Sequence, residues 1–290
     1  MKLLITGANG QLGQALSAAC DAHKISYIAT TSADFDICLL DNISDQLALY
    51  RPDIVVNTAA YTAVDKAETE VSKAFLINEM GARNLATACK KLDIPLIHIS
   101  TDYVFAGDAT TPYLPSAGCD PKTVYGTSKL AGERAIAEVL PAHLIIRTAW
   151  LYSEYANNFA KTMLRLANER DSISVVADQI GCPTYAPDLA EVILATAAKM
   201  QETQWQHYGV YHYTGAEIMS WYEFAKRIMA VRAQHLAKTT QVIAINSDQY
   251  PTAAKRPIYS VLDCQSLWSD FALEPIVTPL DIAIARLLPS

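Results

Sequence analysis

Short apolar runs alternate with amphipathic stretches through the first half of the chain. Runs rich in Leu, Ile and Val predict buried strands, and apolar residues recurring every three or four positions predict helices. The predicted strands are KLLIT, ISYIAT, DIVVNTAA, PLIHIS and HLIIRTAW. The predicted helices are QLGQALSAACDAH, ISDQLALYR, KAFLINEMGARNLATACKKL and the stretch containing Lys129. Because such alternation requires crossover connections, the pattern predicts an α/β fold, with a Rossmann-like doubly wound parallel sheet covered on both faces.

Beyond Trp150 the pattern is less regular. It predicts the helices NNFAKTMLRLANER, PDLAEVILATAAKM and SWYEFAKRIMAVRAQ, and the strands GVYHYT and QVIAI. The segment from Ser247 to Leu262 is rich in proline and turn residues and predicts an ordered loop. We therefore expect a dinucleotide-binding domain over residues 1–150, which also receives later segments at about 176–200, and a smaller, discontinuous substrate-binding lobe over 151–290.

Composition narrows the class of protein. Of 290 residues 51% are hydrophobic and 18% are charged, which is typical of a soluble globular protein. The net charge of −7 and the lack of a basic cluster argue against a nucleic-acid partner. The 6 cysteines are scattered, without the spacing of a disulfide frame or a zinc site. With no apolar run of membrane-spanning or signal-peptide length, we expect no membrane association and a cytoplasmic location.

Three glycines, Gly7, Gly10 and Gly13, lie in TGANGQLG, directly after the first strand and at the start of the first helix. Glycines there permit a tight turn and close approach of backbone to a pyrophosphate, which the helix N-terminus then binds. The spacing is G-x-x-G-x-x-G, and the competing interpretation is a plain strand–helix turn. The sequence therefore predicts a dinucleotide site.

The end of the second predicted strand bears on the choice of cofactor. It reads Thr30-Thr31-Ser32, without the acid that many NAD enzymes place there for the ribose 2′-hydroxyl. This favours NADPH, because no charge repels a 2′-phosphate. NADH remains open, since the hydroxyl cluster is equally interpretable as a solvated turn.

Two tyrosines stand four residues before a lysine, a spacing that places both side chains on one helix face. A neighbouring ammonium lowers the pKa of a phenol and makes it a proton donor. Tyr222 and Lys226 lie in an amphipathic helix of the second lobe and are interpreted as helix surface. Tyr125 and Lys129 follow the glycine loop and the strand-end Thr101, so this pair is assigned the chemistry.

Several motifs carry a family resemblance when taken in order. They are the glycine loop, NTAAYTAVDKAE, STDYVF, the Tyr125–Lys129 pair, RTAWLY, NNFAKTMLRLA, DQIGCPT and KRPIYSVLD. Over nearly its whole length the chain resembles the extended short-chain dehydrogenases, and more closely the dTDP-4-dehydrorhamnose reductases. That family reduces the 4-keto group of dTDP-4-dehydro-β-L-rhamnose to give dTDP-L-rhamnose, a precursor of cell-surface polysaccharide.

The resemblance implies a role for each matching residue. Thr101 would bind the substrate carbonyl, Tyr125 would donate the proton, and Lys129 would lower the pKa of Tyr125 and hold the nicotinamide ribose. The implied cofactor-binding residues are Gly7, Gly10, Gln11, Leu12, Gly13, Thr30, Asp36, Ile37, Ala59, Ala60, Tyr61, Tyr125 and Lys129. The implied substrate-binding residues are Thr101, Asp102, Trp150, Asn158 and Arg256.

Structural alternatives stand beside these roles. Thr101 is also interpretable as the cap of a turn, Trp150 as packing between lobes, Asn158 as a helix cap, and Arg256 as a surface cation. Asp65, Lys66 and Glu68 are interpreted as a solvated helix start, with Asp65 as its cap. The 6 histidines show no pairing or ligand spacing and are assigned no function.

The sequence also departs from the family. Pro115 replaces a usual acidic residue, and Ala15 and Pro187 stand where some members place the glutamates of a magnesium site that joins two subunits. Neither magnesium nor that dimer is predicted, and the chain is expected to be a monomer or a homodimer.

Two other functions remain open. A related nucleotide-sugar epimerase would keep the same Thr–Tyr–Lys set with a tightly bound NAD, and a regulatory subunit would keep the fold without turnover. Dehydration is disfavoured, because Tyr103 rather than a glutamate follows Asp102.

Overall fold

The computed structural model describes residues 1–202, 205–235 and 240–288. Its strands are β1 (Lys2–Thr6), β2 (Ser26–Thr30), β3 (Ile54–Asn57), β4 (Leu96–Thr101), β5 (His143–Thr148), β6 (Leu151–Tyr152), β7 (Ser172–Val176), β8 (Ile180–Gly181), β9 (Thr184–Tyr185), β10 (Gly209–His212), β11 (Met219–Ser220) and β12 (Gln241–Ile245). Its α-helices are α1 (Gln11–His23), α2 (Leu40–Tyr50), α3 (Val64–Ala67), α4 (Val71–Phe75), α5 (Ala82–Lys91), α6 (Val124–Val139), α7 (Phe159–Glu169), α8 (Ala186–Met200), α9 (Trp221–His235), α10 (Gln265–Phe271) and α11 (Leu280–Ala285).

The central sheet has 6 parallel strands in the order β10-β5-β4-β3-β1-β2. Five of them come from the first half of the chain, and β10 comes from the second. The predicted doubly wound fold is confirmed. The strand order reverses at β1, which has β2 on one side and β3 on the other, and ligands of such sheets bind outside the carboxyl ends of the strands at this point. None of the helices in the described ranges combines the length and apolar character needed to cross a bilayer.

Two apolar layers cover the faces of this sheet. On one face α1, α8 and α10 pack on side chains such as Leu3, Ile54 and Ile146. On the other face α2, α5 and α6 pack on Leu4, Val55 and their neighbours. Because α8, α10 and β10 follow residue 180 in the chain, later segments complete the sheet layer, while the domain boundaries themselves stay a prediction.

A second lobe surrounds its own apolar cluster, formed by α7, α9, α11 and β7. β12 pairs with β7 in a parallel ribbon. The periodicity predicted α7, α8, α9 and β12, but it did not predict β7, α10, α11 or the two-residue strands β6, β8, β9 and β11. Apart from β7, these pieces are too short to show a period of their own.

The long helix predicted over residues 73–92 contains a π-helical segment, Leu76–Gly81, between α4 and α5. This segment turns Asn78 inward, where its side chain bonds both the N–H and the carbonyl of Tyr61 at 2.8 and 3.1 Å. Asn78 also donates to the Ser128 hydroxyl at 2.9 Å on α6. A π-segment at such a position is common at functional sites.

Helix α6 lies unusually close to its neighbours. A Cβ on Gly132 would stand 2.0 Å from the carbonyl oxygen of Asn78, and one on Gly126 would stand 2.1 Å from that of Tyr103. Both obstacles are backbone atoms, which cannot turn away. These two glycines therefore set the distance of α6 from the π-helical segment and from the turn that follows β4.

Gly132→Ala should destabilise the fold by about 2 kcal/mol, because the added methyl group overpacks the contact with Asn78 by more than the roughly 1 kcal/mol gained in helix propensity. Gly118→Ala is the matched control, since a Cβ on Gly118 meets nothing within 4 Å. Urea unfolding followed by circular dichroism measures both, and equal stability of Gly132→Ala and the wild type would contradict the packing described.

Candidate active site

The turn between β1 and α1 leaves no room for side chains. Gly7 has φ 68°, a left-handed conformation that favours glycine, and a Cβ there would lie 2.7 Å from the backbone of Ala59. A Cβ on Gly13 would lie 2.5 Å from the carbonyl oxygen of Gly7. The N-cap, Gly10, provides no side-chain hydrogen bond, so the first N–H groups of α1 are available to an anion. This turn fits the pyrophosphate of a dinucleotide.

The next two predicted cofactor residues have structural contacts. The Gln11 side chain accepts hydrogen bonds from Ser153 at 3.1 Å and Asn158 at 2.9 Å, both in the second lobe. Leu12 is buried in the apolar layer beside α1. The first turn of α1 is therefore tied to the second lobe while its backbone faces the glycine turn.

The hydroxyl groups at the end of β2 are less available to a cofactor phosphate than the sequence suggested, because both are already hydrogen-bonded. Thr30 is buried and donates to the carbonyl of Ile5 at 3.1 Å. Thr31 donates to the carboxylate of Asp34 at 2.8 Å. The expectation that no acid stands near this strand end is therefore incomplete, because Asp34 folds back onto the turn from four residues downstream.

The remaining cofactor candidates line the same edge of the sheet. Asp36 accepts from the N–H of Cys38 at 2.9 Å, and Ile37 is buried against Gly81. Ala59 and Ala60 are partly exposed after β3. Tyr61 is held by Asn78 and shares an apolar cluster with Tyr125. The ends of β1 and β3 and the start of α6 thus converge.

Thr101 lies at the carboxyl end of β4, as predicted. Its hydroxyl donates to Oδ1 of Asp102 at 2.8 Å and accepts from the N–H of Tyr103 at 3.3 Å, which caps the following 3₁₀ turn, Asp102–Val104. The cap interpretation therefore also holds. Burial raises the pKa of Asp102 to about 6, and its Oδ2 has no hydrogen-bond partner among the described residues. This site contains a buried carboxyl with one free acceptor.

Tyr125 lies in the first turn of α6, whose N-terminus is capped from two directions. Thr123 accepts from the N–H of Gly126 at 3.0 Å, and Glu68 accepts from the N–H of Val124 at 2.9 Å. Burial raises the pKa of Tyr125, with Asp102 adding to the rise and Thr101 opposing it. The phenol is therefore held in its protonated form.

The side chain of Lys129 is bonded to β4 rather than to Tyr125. Nζ donates to the carbonyl of Ile99 at 2.7 Å and lies 3.1 Å from Nε2 of His98. Burial lowers the pKa of Lys129 to about 8. Burial dominates the pKa of Tyr125 here, and Nζ of Lys129 is bonded to β4, so the lowering of that pKa by Lys129 stays a prediction.

His98 belongs to a buried polar row on the sheet face covered by α6. Thr6, Asn57 and His98 are cross-strand neighbours in the β1, β3 and β4 register. Thr6 donates to Oδ1 of Asn57 at 2.6 Å, and Nδ2 of Asn57 lies 2.9 Å from Nδ1 of His98. The sequence interpretation assigned His98 no function and did not predict this contact with the predicted catalytic lysine.

Arg256 connects the proline-rich loop to the first half of the chain. It donates to Oδ2 of Asp65 at 2.5 Å and to the hydroxyl of Tyr103 at 2.9 Å. Tyr103 stands edge-on to Tyr125, with ring centroids 5.5 Å apart. The prediction that Asp65 caps its own helix is wrong, because α3 has no side-chain cap and Asp65 binds Arg256 instead. Glu68, which caps α6, is likewise more than a solvated charge.

The other substrate candidates, Trp150 and Asn158, lie where the two halves meet. Trp150 stacks on Trp221 with centroids 3.5 Å apart, which is the packing alternative. Asn158 caps α7 by accepting from the N–H of Lys161 at 3.0 Å, which is the cap alternative. Both residues border the site, and direct contact with a substrate stays a prediction.

The second tyrosine–lysine pair is unrelated to this cluster. Nζ of Lys226 lies over the Tyr222 ring, 5.4 Å from its centroid, on α9. No strand-end hydroxyl or glycine turn of the first domain is among their described contacts. The sequence interpretation of this pair as helix surface agrees with its position.

The sequence analysis did not predict the contacts that four residues make at the site. These residues are Glu68, Asn78, His98 and Tyr103. His98 did leave a signal, as a single polar residue within the apolar run PLIHIS. Asn78 left none, because its inward direction depends on the π segment. Glu68 acts on another helix, which spacing along one helix does not reveal.

Comparison with known proteins gives the family. The family described as "RmlD substrate binding domain" matches residues 1–282. The dTDP-4-dehydrorhamnose reductase of Aggregatibacter actinomycetemcomitans is 42% identical over 277 residues, covering 94% of both chains. A crystal structure of a dTDP-4-dehydrorhamnose reductase from Clostridium acetobutylicum has a TM-score of 0.91 at 36% identity, covering 99% of this chain and 98% of that one. Another, from Bacillus anthracis in complex with NADP, has a TM-score of 0.90 at 36% identity with the same coverage.

Asp102 should make stability depend on pH. Its pKa rises from 3.8 to about 6 on folding, so its contribution is fully present below pH 4 and is lost as the pH rises through 6. Relative to wild type, Asp102→Asn should gain about 3 kcal/mol in unfolding free energy between pH 4 and pH 8. Urea unfolding at several pH values measures this difference, and parallel profiles would show that the carboxyl titrates normally.

Proposed function

Because the chain belongs to the RmlD substrate-binding-domain family, we propose that it is a dTDP-4-dehydrorhamnose reductase, which reduces the 4-keto group of dTDP-4-dehydro-β-L-rhamnose to dTDP-L-rhamnose with a nicotinamide cofactor. It is thus an oxidoreductase of nucleotide-sugar and polysaccharide biosynthesis. The observation that carries the proposal is the convergence of Thr101, Tyr125 and Lys129 at the carboxyl end of β4, beside the glycine turn.

The shape of the glycine turn between β1 and α1 indicates which residues would bind the cofactor. Gly7, Gly10 and Gly13 with the N-terminus of α1 would hold the pyrophosphate, and the edge formed by Ala59, Ala60 and Tyr61 would face the nicotinamide side. The cofactor supplies the hydride when bound. We propose NADPH as the cofactor, supported by the NADP bound to the Bacillus anthracis relative, with NADH accepted as well because Asp34 stands near the end of β2.

The protein side of the reaction requires a proton donor at the developing alkoxide. The buried phenol of Tyr125 stays protonated at neutral pH, because burial raises its pKa. The Thr101 hydroxyl, which donates to Asp102 here, would turn its hydrogen toward the substrate oxygen. Both groups lie at the end of one strand and the start of one helix, which orients them for the same oxygen atom.

Lys129 would act on the cofactor ribose and on the phenolate. Once Tyr125 has given up its proton, the phenolate is buried and unfavourable without a nearby cation. A charged Lys129, one helical turn from Tyr125, would stabilise it electrostatically. The lysine therefore acts after it leaves the carbonyl of Ile99, which it contacts in this structure.

The substrate is a dTDP-linked 4-keto-6-deoxy sugar. The free Oδ2 of Asp102 offers an acceptor for a sugar hydroxyl, and the stacked Trp150 and Trp221 provide an apolar wall at the lobe boundary. Arg256 serves the proposed diphosphate contact only if it leaves Asp65. A magnesium ion is not part of the proposal, since Asp188, next to Pro187, already accepts from the N–H and hydroxyl of Thr278 at 2.7 and 2.6 Å.

The purified protein should oxidise NADPH only when dTDP-4-dehydro-β-L-rhamnose is supplied. The absorbance of NADPH at its long-wavelength band follows the reaction, and the product is identified by mass spectrometry. UDP-glucose is the control substrate, because it has no keto group to reduce. Absence of oxidation with the dTDP sugar would remove the reductase proposal, and tightly bound NAD in the purified protein would favour an epimerase.

Tyr125→Phe should lower kcat/KM by about 1,000-fold, because it removes the proton donor while keeping the ring. NADPH affinity, measured by fluorescence titration, should change little. Tyr222→Phe is the matched control, since it removes the same hydroxyl from the other tyrosine–lysine pair, and it should keep full activity. Retained turnover in Tyr125→Phe would show that another group donates the proton.

A further inference from the structure

The hydrogen bonds beside Lys129 fix which atoms carry protons. The N–H of Ala59 is a backbone group and always donates, and it lies 3.1 Å from Oδ1 of Asn57. The amide oxygen of Asn57 must therefore face Ala59, where it also accepts from Thr6. The amide nitrogen then faces Nδ1 of His98 at 2.9 Å and donates to it.

This orientation determines the tautomer of His98. Since Nδ1 accepts, a neutral imidazole carries its hydrogen on Nε2. Burial lowers the pKa of His98 well below 6.5, which excludes the doubly protonated form at neutral pH. The Nε2–H group therefore points at Nζ of Lys129, 3.1 Å away.

A charged lysine does not satisfy this arrangement. An ammonium group has three donors and no acceptor, so facing it with Nε2–H would place two donors against each other. A neutral amine has one lone pair, which accepts from Nε2–H while one of its hydrogens is donated to the carbonyl of Ile99 at 2.7 Å. The contact is satisfied only when Lys129 is uncharged.

We propose that His98 is a positioning residue: while the cofactor site is empty it holds the neutral amine form of Lys129 turned toward β4, and it releases the lysine when Nζ takes up a proton from solvent. The ammonium then turns to the cofactor ribose and Tyr125. Because the pKa of Lys129 is about 8, binding of the nicotinamide cofactor is coupled to uptake of a proton by Lys129 on the alkaline side of pH 8. The inference rests on the proposed function only in that a nicotinamide cofactor binds.

The polar row does not serve as a proton path to solvent. Thr6, Asn57 and His98 are each about 1% exposed and end inside the sheet layer. A proton passed from Lys129 to His98 would have no exit along it. The row therefore positions the lysine and does not relay protons.

Other charged groups act on the pair more weakly. Glu133, on the same helix, favours the charged lysine but is bonded to Arg147 of β5 at 2.6 Å. His143 of β5 lowers the pKa of His98 further. Charged groups on the other elements packed against α6 include Asp102, Glu68, Lys73, which pairs with Glu70, and Arg83, which pairs at the surface with Glu138 of α6. Asp65, Lys66, Glu79, Lys90 and Lys91 also lie on these elements. None of these contacts Nζ among the described hydrogen bonds.

The tautomer of His98 is measurable in the wild-type protein without cofactor. Two-bond ¹H–¹⁵N correlation, with the ring assigned through its own backbone, should show Nε2 protonated and Nδ1 unprotonated at pH 9, where Lys129 is mainly neutral. An Nδ1–H tautomer would overturn the proposal. This measurement needs neither substrate nor turnover, so it stays informative if the proposed reaction fails.

His98→Gln should change how cofactor affinity depends on pH. The glutamine amide can present an oxygen to Nζ, so the ammonium is no longer disfavoured and the pKa of Lys129 should rise. The Kd for NADPH, measured by fluorescence from pH 6.5 to 9.5, should weaken on the alkaline side in wild type, and this weakening should move up by about one pH unit in the variant. A structural role alone would weaken binding at every pH without moving the midpoint.

His143→Gln is the matched control, because it removes a buried histidine of the adjacent strand whose Nδ1 faces the carbonyl of Leu140 at 2.5 Å. Its midpoint should move by far less than that of His98→Gln. An unmoved midpoint in folded His98→Gln would overturn the proposal. Wild-type protein that binds no NADPH at any pH would instead contradict the proposed function.

Discussion

The hydrogen bond from the Ala59 N–H to Asn57 constrains more of this site than any contact of the reacting groups themselves. A buried backbone donor must find an acceptor, so it fixes the direction of the Asn57 amide and, through it, the tautomer of His98. The same Ala59 backbone stands where a Cβ on Gly7 would be. The end of β3 thus shapes the pyrophosphate turn on one side and the surroundings of Lys129 on the other. Cofactor and catalytic sites share one backbone segment.

Close packing of α6 explains why the site contains neutral groups. Gly126 and Gly132 bring the helix to van der Waals limits against Tyr103 and Asn78, which removes water from its inner face. Burial disfavours both the phenolate of Tyr125 and the ammonium of Lys129, so the pKa of Tyr125 rises while that of Lys129 falls, and the two values move apart. A ligand that brings charge or excludes the remaining water changes this balance. The phenol therefore keeps its proton until a substrate oxygen takes it up.

Local patterns predicted the elements that position the site, and long-range contacts decided the details. The glycine loop, the bounds of α1 and β1, and the helix carrying Tyr125 followed from periodicity and turn chemistry, because each depends on residues near in sequence. The role of His98 depends on the β1–β3–β4 register, and that of Glu68 on packing between α3 and α6. The directions in which the pKa values of Tyr125 and Lys129 shift depend on burial, which the spacing of the two residues along the helix does not predict. Where the sequence interpretation failed, the missing quantity was a contact across elements.

Polar contacts join the second lobe to the site, and they position the lobe more than they stabilise the fold. Arg256 and Asp65 are 26% and 43% exposed at their side chains, and ion pairs so exposed contribute at most about 1 kcal/mol. Asn158 donates to the Gln11 side chain at 2.9 Å, which gives a second polar contact between the lobe and the start of α1. Such weak contacts add little resistance to a shift of the lobe, and Trp150 stacked on Trp221 adds an apolar contact where the two halves meet. A strong, buried linkage at either end would hold the cleft in one position and oppose entry of a nucleotide sugar. These polar contacts therefore set the position of the second lobe beside the site and add little to the stability of the fold.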